Sequence, residues 1–278
     1  MRQFYLQRAK RILHYRSSYK LAFVILALIS SVSLLILVLP FDPNQSNIEQ
    51  LSQFPSLRHP FGTDELGRDY FLRVLHGGHV SLFVGFTAML VSTLIGTTTG
   101  LIAGYFGGRL DNLLMRIVDI FSSVPWMILT VVLSVLLKPG MSTIILVISL
   151  FSWMNIARLV RAETLTVKER DFVFYSEFIG VPVTTILIKH ISPQIISVIT
   201  VAAISNLSNA IMMESALSFL GLGIQQPQSS WGSLLESAQS SLQEAPYMAI
   251  TPGILITVTV LCCNQLASFF QLVFSNEG

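Results

Sequence analysis

Charge is what this sequence lacks. Asp, Glu, Lys and Arg make up 12% of its 278 residues, against 52% for hydrophobic types, where a soluble domain carries about 25% charged residues. A chain this long can bury a large core, but a core in water needs a polar shell, and there are too few charges to build one. Lipid must supply much of the solvent. A net charge of +2 offers no footprint for nucleic acid or for an acidic substrate. Cysteine is nearly absent too. Cys262 and Cys263 are adjacent, which rarely allows a disulfide and does not match a metal-binding C-x-x-C pair.

Catalytic signatures are also missing. There is no G-x-x-x-x-G-K-[ST] phosphate loop, and no glycine is followed by lysine, so a nucleotide would have to be held by another polypeptide. No H-E-x-x-H is present, and no Ser, His and Asp set can be placed on one face. These absences point to a non-enzyme that binds no cofactor of its own.

What is present is a series of long apolar runs. A bilayer core of about 30 Å takes roughly 20 apolar residues as a helix. Such runs cover 21–39, 80–104, 120–137 (with a helix expected to start near Leu113), 141–157 and 191–213, and a further one lies within 245–276. The reading is an all-α integral membrane protein with about six transmembrane helices. The short run 216–224 reads as an interfacial or re-entrant segment. The first run is longer than the usual signal-peptide core and ends at Leu39-Pro40-Phe41 without a small-residue cleavage site, so it is expected to remain as the first helix. Gly96, Gly100 and Gly104 form a small-xxx-small ridge suited to tight helix packing.

Basic residues orient the chain. Arg2, Arg8, Lys10, Arg11, Arg16 and Lys20 precede the first run, and no acid occurs before Asp42. With that end in the cytoplasm, all of the 17 Lys and Arg fall on cytoplasmic segments except Arg58, Arg68, Arg73 and Lys138. Three loops are then long enough to carry function. The external loop 40–79 holds the cluster Asp64, Arg68, Asp69 and Arg73. His76 and His79 in the same loop are weak candidates for a transition metal, and no metal is expected. The external loop 214–244 carries Gly, Pro and Trp231. The cytoplasmic segment 158–190 mixes acids and bases around Val167, Phe172, Tyr175, Phe178 and Ile179 at near-helical spacing. With Gly180 and Pro182 as a stop signal, it reads as a helix–turn–helix fit to dock in a partner's groove. Within the membrane, Asn206, Asn209, Met212 and Met213, with Glu214 at the outer end, either line a path for a polar solute or, in the case of Asn, hold helices together.

Asp171-Phe-Val, Gly180, and then His190-Ile-Ser-Pro193 resemble the "EAA" loop of bacterial ABC-importer permeases. Other blocks resemble the dipeptide/oligopeptide/nickel group of that family. They are His59-Pro-Phe-Gly-Thr-Asp-Glu-Leu-Gly-Arg-Asp69, Gly104-Tyr-Phe-Gly-Gly108 with Met115-Arg-Ile-Val-Asp119, and Glu214-Ser-Ala-Leu-Ser-Phe-Leu-Gly-Leu-Gly223 followed by Trp231-Gly232. The resemblance implies a type I importer permease that forms half of a pathway for peptides, nickel or a metal–metallophore complex. It implies as partners a second permease, two ATP-binding subunits carrying ATP and Mg, an extracytoplasmic solute-binding protein and the bilayer. By the same resemblance Asp171, Ser176, Glu177, Gly180, Pro182, His190 and Pro193 belong to the ATPase-coupling loop. The chain would divide into a basic cytoplasmic segment 1–20, a first helix 21–39, an extracytoplasmic loop 40–79 and a permease core 80–276 with five helices and the coupling loop 158–190. Phe174-Tyr175-Ser176 stand where the family carries Glu-Ala-Ala, and no Gly-Asp-x-Leu-Arg-Asp follows Asn264. An ATP-independent transporter or channel is the alternative. Such proteins usually show internal repeats or intramembrane charges for ion coupling, and the sequence has neither.

Overall fold

A computed structural model describes residues 2–36 and 40–274. The end of the first apolar run (37–39) and the last residues of the sixth (275–276) lie outside the described residues. Among those described, five helices are long and apolar enough to cross a bilayer, and a bent pair makes a sixth if counted as one span. In chain order the helices are α1 (Arg2–Tyr15), α2 (Ser17–Leu35), α3 (Tyr70–Phe106), α4 (Gly108–Ser123), α5 (Trp126–Leu137), α6 (Met141–Lys168) and α7 (Asp171–Phe178). The continuous helix α8 (Val183–Thr185), a π turn (Ile186–Ile191) and α9 (Ser192–Phe219) follows, then α10 (Trp231–Ser237) and α11 (Tyr247–Phe274).

The centre of the bundle is the pairing of α3 with α6. Lipid tails offer no hydrophobic drive for helices to associate, so close packing must do it. The ridge Ala88, Ser92, Gly96, Gly100 and Gly104 presents small residues at four-residue spacing. A Cβ added at Gly96 would stand 2.6 Å from the Trp153 carbonyl oxygen, and one at Gly104 would stand 2.7 Å from the Thr164 Cβ. The expected packing role of these glycines is what the structure shows.

Several boundaries differ from the sequence reading. α3 begins ten residues before the apolar run, because the Asp69 carboxylate caps it by accepting the Leu72 N–H at 3.1 Å. The expected third span is broken. Pro125 cannot continue a helix and disfavours helical geometry at the residue before it, so Val124 is extended and α4 meets α5 at 84°. At 12 residues, α5 alone is about 18 Å long, too short to cross. α6 runs on to Lys168, so the first third of the expected coupling loop is helix. α9 runs through Phe219, so 216–224 is the last turn of a span and the turn after it, not a separate segment. Pro193 sits inside a continuous helix. It has no N–H for the turn before it, and the chain widens there into the π turn, with Ser192 N–H bonding the Leu187 carbonyl.

The two ends of the bundle are chemically distinct. At one end α1 packs on the end of α11, around Tyr19, Phe269 and Val273. Also at that end, the Lys168 ammonium donates to the Tyr105 carbonyl and lies 5.4 Å from the Tyr105 ring. The Arg161 fork there grips both oxygens of Asp111, a buried acid in the first turn of α4 (Nη2–Oδ2 2.6 Å). This is the end carrying the basic N-terminal residues, and α7 lies there too.

The opposite end is built from the 40–69 segment, α10 and the start of α11. Asp64 accepts from Arg68 at 2.7 Å and faces Arg73 at 3.5 Å. Both arginines are buried, so one carboxylate compensates two guanidinium groups, helped by Gln226 and Asn44. The other acid of the cluster, Asp69, caps α3 and meets His59 at 2.8 Å. The carboxyl of Glu65 accepts from Ser240 and Ser241, which hold it below the usual carboxylate range.

Candidate functional site

A groove of about 440 Å³ opens between α6 and α9, with Trp126 from the α4–α5 break at its edge. α9 contributes Ser205, Asn206, Asn209, Met212 and Met213, and α6 contributes Ser152, Asn155 and Leu159. Of the expected pathway residues, Asn206, Asn209, Met212 and Met213 all line this groove. Asn206 also does the other thing considered for it. Its amide donates to Ser92 Oγ at 2.7 Å and so ties α9 to α3, while Asn209 and Met212 are exposed.

Glu214 does not line the groove. It is fully buried, facing α3, and accepts hydrogen bonds from Ser81 at 2.8 Å and Ser218 at 2.7 Å. Ser81 Oγ in turn accepts the Trp231 backbone N–H, and the Trp231 indole donates to the Val74 carbonyl. The acid thus anchors α10 inside the bundle rather than offering charge to a solute. Satisfying a buried carboxylate with hydroxyl donors is the usual condition for keeping one there.

His76 and His79 are helical, not loop residues. Their ten-residue stretch belongs to α3, where Asp69 starts the helix. His76 Nδ1 lies 3.2 Å from Ser229 Oγ, and the His79 ring sits beside Phe83. Among the described residues no group of three or more His, Cys, Asp or Glu is placed to hold a metal ion.

The segment between α6 and α8 forms the helix–turn–helix expected of it, shorter and sharper. Asp171 opens α7, where an acid suits the helix N-terminus. Val173 and Ser176 are buried, and Val173 belongs to the core cluster that also holds Tyr105, Ile156 and Ile186. The Gly180 N–H bonds the Glu177 carbonyl and the Val181 N–H bonds the Ser176 carbonyl, each at 3.0 Å. This Schellman closure needs a left-handed residue, which Gly180 supplies at φ +77°. Pro182 then starts α8. The outer face of the turn is apolar and open, with Phe174, Tyr175 and Phe178 exposed by 70, 63 and 82%. Asp171, Ser176, Glu177, Gly180 and Pro182 come together in this turn. His190 and Pro193 lie farther along the second helix, in and just after the π turn.

Reading the sequence missed Trp126, Ser152, Asn155 and Ser205. A signal existed: Ser152 with Asn155, and Ser205 with Asn209, are polar pairs at helical spacing inside apolar runs. Which face of each helix they occupy relative to one another is set only by packing.

A family model described as "Binding-protein-dependent transport system inner membrane component" matches residues 96–276. The chain is 38% identical over 227 residues to the oligopeptide transport system permease protein OppC of Haemophilus influenzae, covering 81% of this chain and 73% of that one. It is 36% identical to OppC of Bacillus subtilis, covering 91% and 84%. It is 38% identical to the glutathione transport system permease protein GsiD of Pectobacterium atrosepticum, covering 82% and 76%. In fold it is similar to a chain of the MetNI methionine ABC transporter in inward-facing conformations, with a TM-score of 0.59 and 19% identity, covering 72% of this chain and 95% of that one. The fold is thus the type I importer fold, and an ATP-independent carrier is not favoured. The chain belongs to the inner-membrane components of binding-protein-dependent transport systems: it is a multi-pass permease subunit of an ABC importer, working in the membrane with an ATPase and a solute-binding protein.

Proposed function

We propose that this chain pairs with a second, homologous permease so that the α6–α9 groove becomes one wall of a path for peptides. Of two ATP-binding subunits, which carry ATP and Mg, one docks on the turn at Gly180, while this chain binds no nucleotide and catalyses nothing. The observation that carries the docking is the α7 turn. Phe174, Tyr175 and Phe178 stand in the open on a short helix that is rigidly based through Val173 and Ser176. An exposed aromatic cluster on a fixed base is what a groove on a partner recognises. Rigid-body movement of that turn would pass the ATPase cycle on to the bundle. Glu177, Asp171 and Lys189, all exposed, supply a charged rim around it.

Peptide cargo is favoured by two things. The relatives above are named for oligopeptide and glutathione transport, and the groove offers amide and hydroxyl groups with no His, Cys, Asp or Glu that would suit a bare metal ion. The test is purification of the chain from its native membrane in mild detergent. A second permease and two ATPase subunits should come with it, and peptide-loaded binding protein should stimulate ATP hydrolysis in the reconstituted assembly. Transport by this chain with no ATPase attached would refute the proposal.

A further inference from the structure

The α6–α9 groove is notable for the charges that surround it and do not enter it. Every residue lining it is apolar, hydroxyl, amide or thioether. Beside the lining residue Leu159, Arg158 and Asp119 close on each other at 2.9 Å, with Ser122 sharing the arginine. Arg161 is held by Asp111. At the other end Glu214 has no exposed surface and is bonded to Ser81 and Ser218 on the side away from the groove. Each of these ionisable groups is thus committed to a partner.

We infer that this wall passes peptides without regard to the charge of their side chains, and that Asn209 and Asn155 are the positions that keep it so. Between protein walls of low dielectric, a fixed wall charge would attract one class of cargo and repel another, because it is screened less than it would be in bulk solvent. Amide side chains both donate and accept, so they match the one feature all peptides share, the backbone amide, whatever side chains it carries. Met212 and Met213 add flexible, polarizable surface that adapts to side chains of differing shape. The Asn206 amide N–H is taken by Ser92, so Asn209 and Asn155, which are both exposed, are the amides open to cargo.

This inference rests on the groove being the cargo path, and the experiment separates the two. The whole transporter, reconstituted in vesicles with its binding protein, is given three peptides of one length carrying net negative, zero and net positive charge. Maximal uptake is measured at saturating loaded binding protein, and results are read as the acidic-to-basic uptake ratio relative to wild type. Asn209→Asp is expected to lower that ratio about tenfold and Asn209→Lys to raise it about tenfold, a factor that corresponds to about 1.4 kcal/mol. Asn209→Gln should leave the ratio at its wild-type value. Asn155→Asp, on the facing helix, repeats the test if an Asn209 variant fails to assemble. Charged variants at both positions that leave the ratio unmoved overturn the inference. Wild-type vesicles that take up none of the three peptides overturn the peptide reading as well.

Discussion

A Cβ placed on Gly100 would meet the Ala157 carbonyl oxygen at 2.6 Å, the Val160 Cβ at 2.7 Å and the Arg161 backbone nitrogen at 2.9 Å. Ordinary contact begins at 3.4 Å, so Gly100→Ala is short of room by about 0.8 Å, enough to forfeit a quarter to a half of the dispersion attraction if the helices part to make it. Two of the three atoms are backbone and the third is a Cβ, so no change of rotamer relieves them. α3 and α6 must separate at a point of close backbone approach, where Ala157 and Val160 have no exposed surface. Overpacking of this kind costs about 3 kcal/mol at the upper end of its range. Alanine's better helix propensity returns up to about 1 kcal/mol. The net loss of about 2 kcal/mol lowers the thermal midpoint by roughly 4–8 °C. The assay is size-exclusion chromatography of the detergent-solubilised assembly after graded heating. Gly253→Ala is the control. That residue lies inside α11, and its nearest neighbour is a Leu235 methyl at 4.0 Å, so the substitution gains propensity without a clash. A Gly100→Ala midpoint equal to or above that of Gly253→Ala would refute the packing account.

Gly180→Val forces a β-branched residue into a left-handed conformation with open space around it. The local cost of about 1–2 kcal/mol leaves membrane insertion intact but abolishes ATP hydrolysis coupled to loaded binding protein; normal coupling would show the docking turn is misassigned. Asp64→Ala strips the one carboxylate from buried Arg68 and Arg73. It should destabilise by about 3–5 kcal/mol, as breaking a buried pair does, seen as loss of the folded assembly on detergent extraction. Glu214→Ala leaves Ser81 and Ser218 without their acceptor. It should make the 220–246 segment more readily cut by added protease in right-side-out vesicles than it is in the native chain, and Glu214→Gln should restore most of the native resistance.

Part of this structure was readable because its cause is local. The 19–37 residue helices follow from hydropathy, since in lipid every backbone group must bond within its own helix. The Gly180 stop followed from a glycine and a proline two residues apart, the chemistry of a helix end. The start of α3 was missed because the signal there is the cap at Asp69, not an apolar run; residues 70–79 include an arginine and two histidines. The break at Pro125 was missed for the opposite reason, as hydropathy stays high across it and only the backbone restriction of proline marks it.

Sequence alone determined that the chain lives in lipid, about how often it crosses, which end carries the basic residues and which segment makes the glycine-stopped helix–turn–helix. Those features depend on composition, on spacing within one helix and on charge counts. Tertiary structure decided which polar residues stand open in the groove and which are bound within the protein. Asn206 and Asn209 look alike in the sequence, yet one is tied to Ser92 and the other stands in the groove. Glu214 directly follows Met213, a groove residue, and points into the protein instead. Their positions around the axis of α9 separate them, and the rotation of that helix is set by its packing on α3, where a Cβ at Gly85 would stand 2.6 Å from the Ile211 side chain.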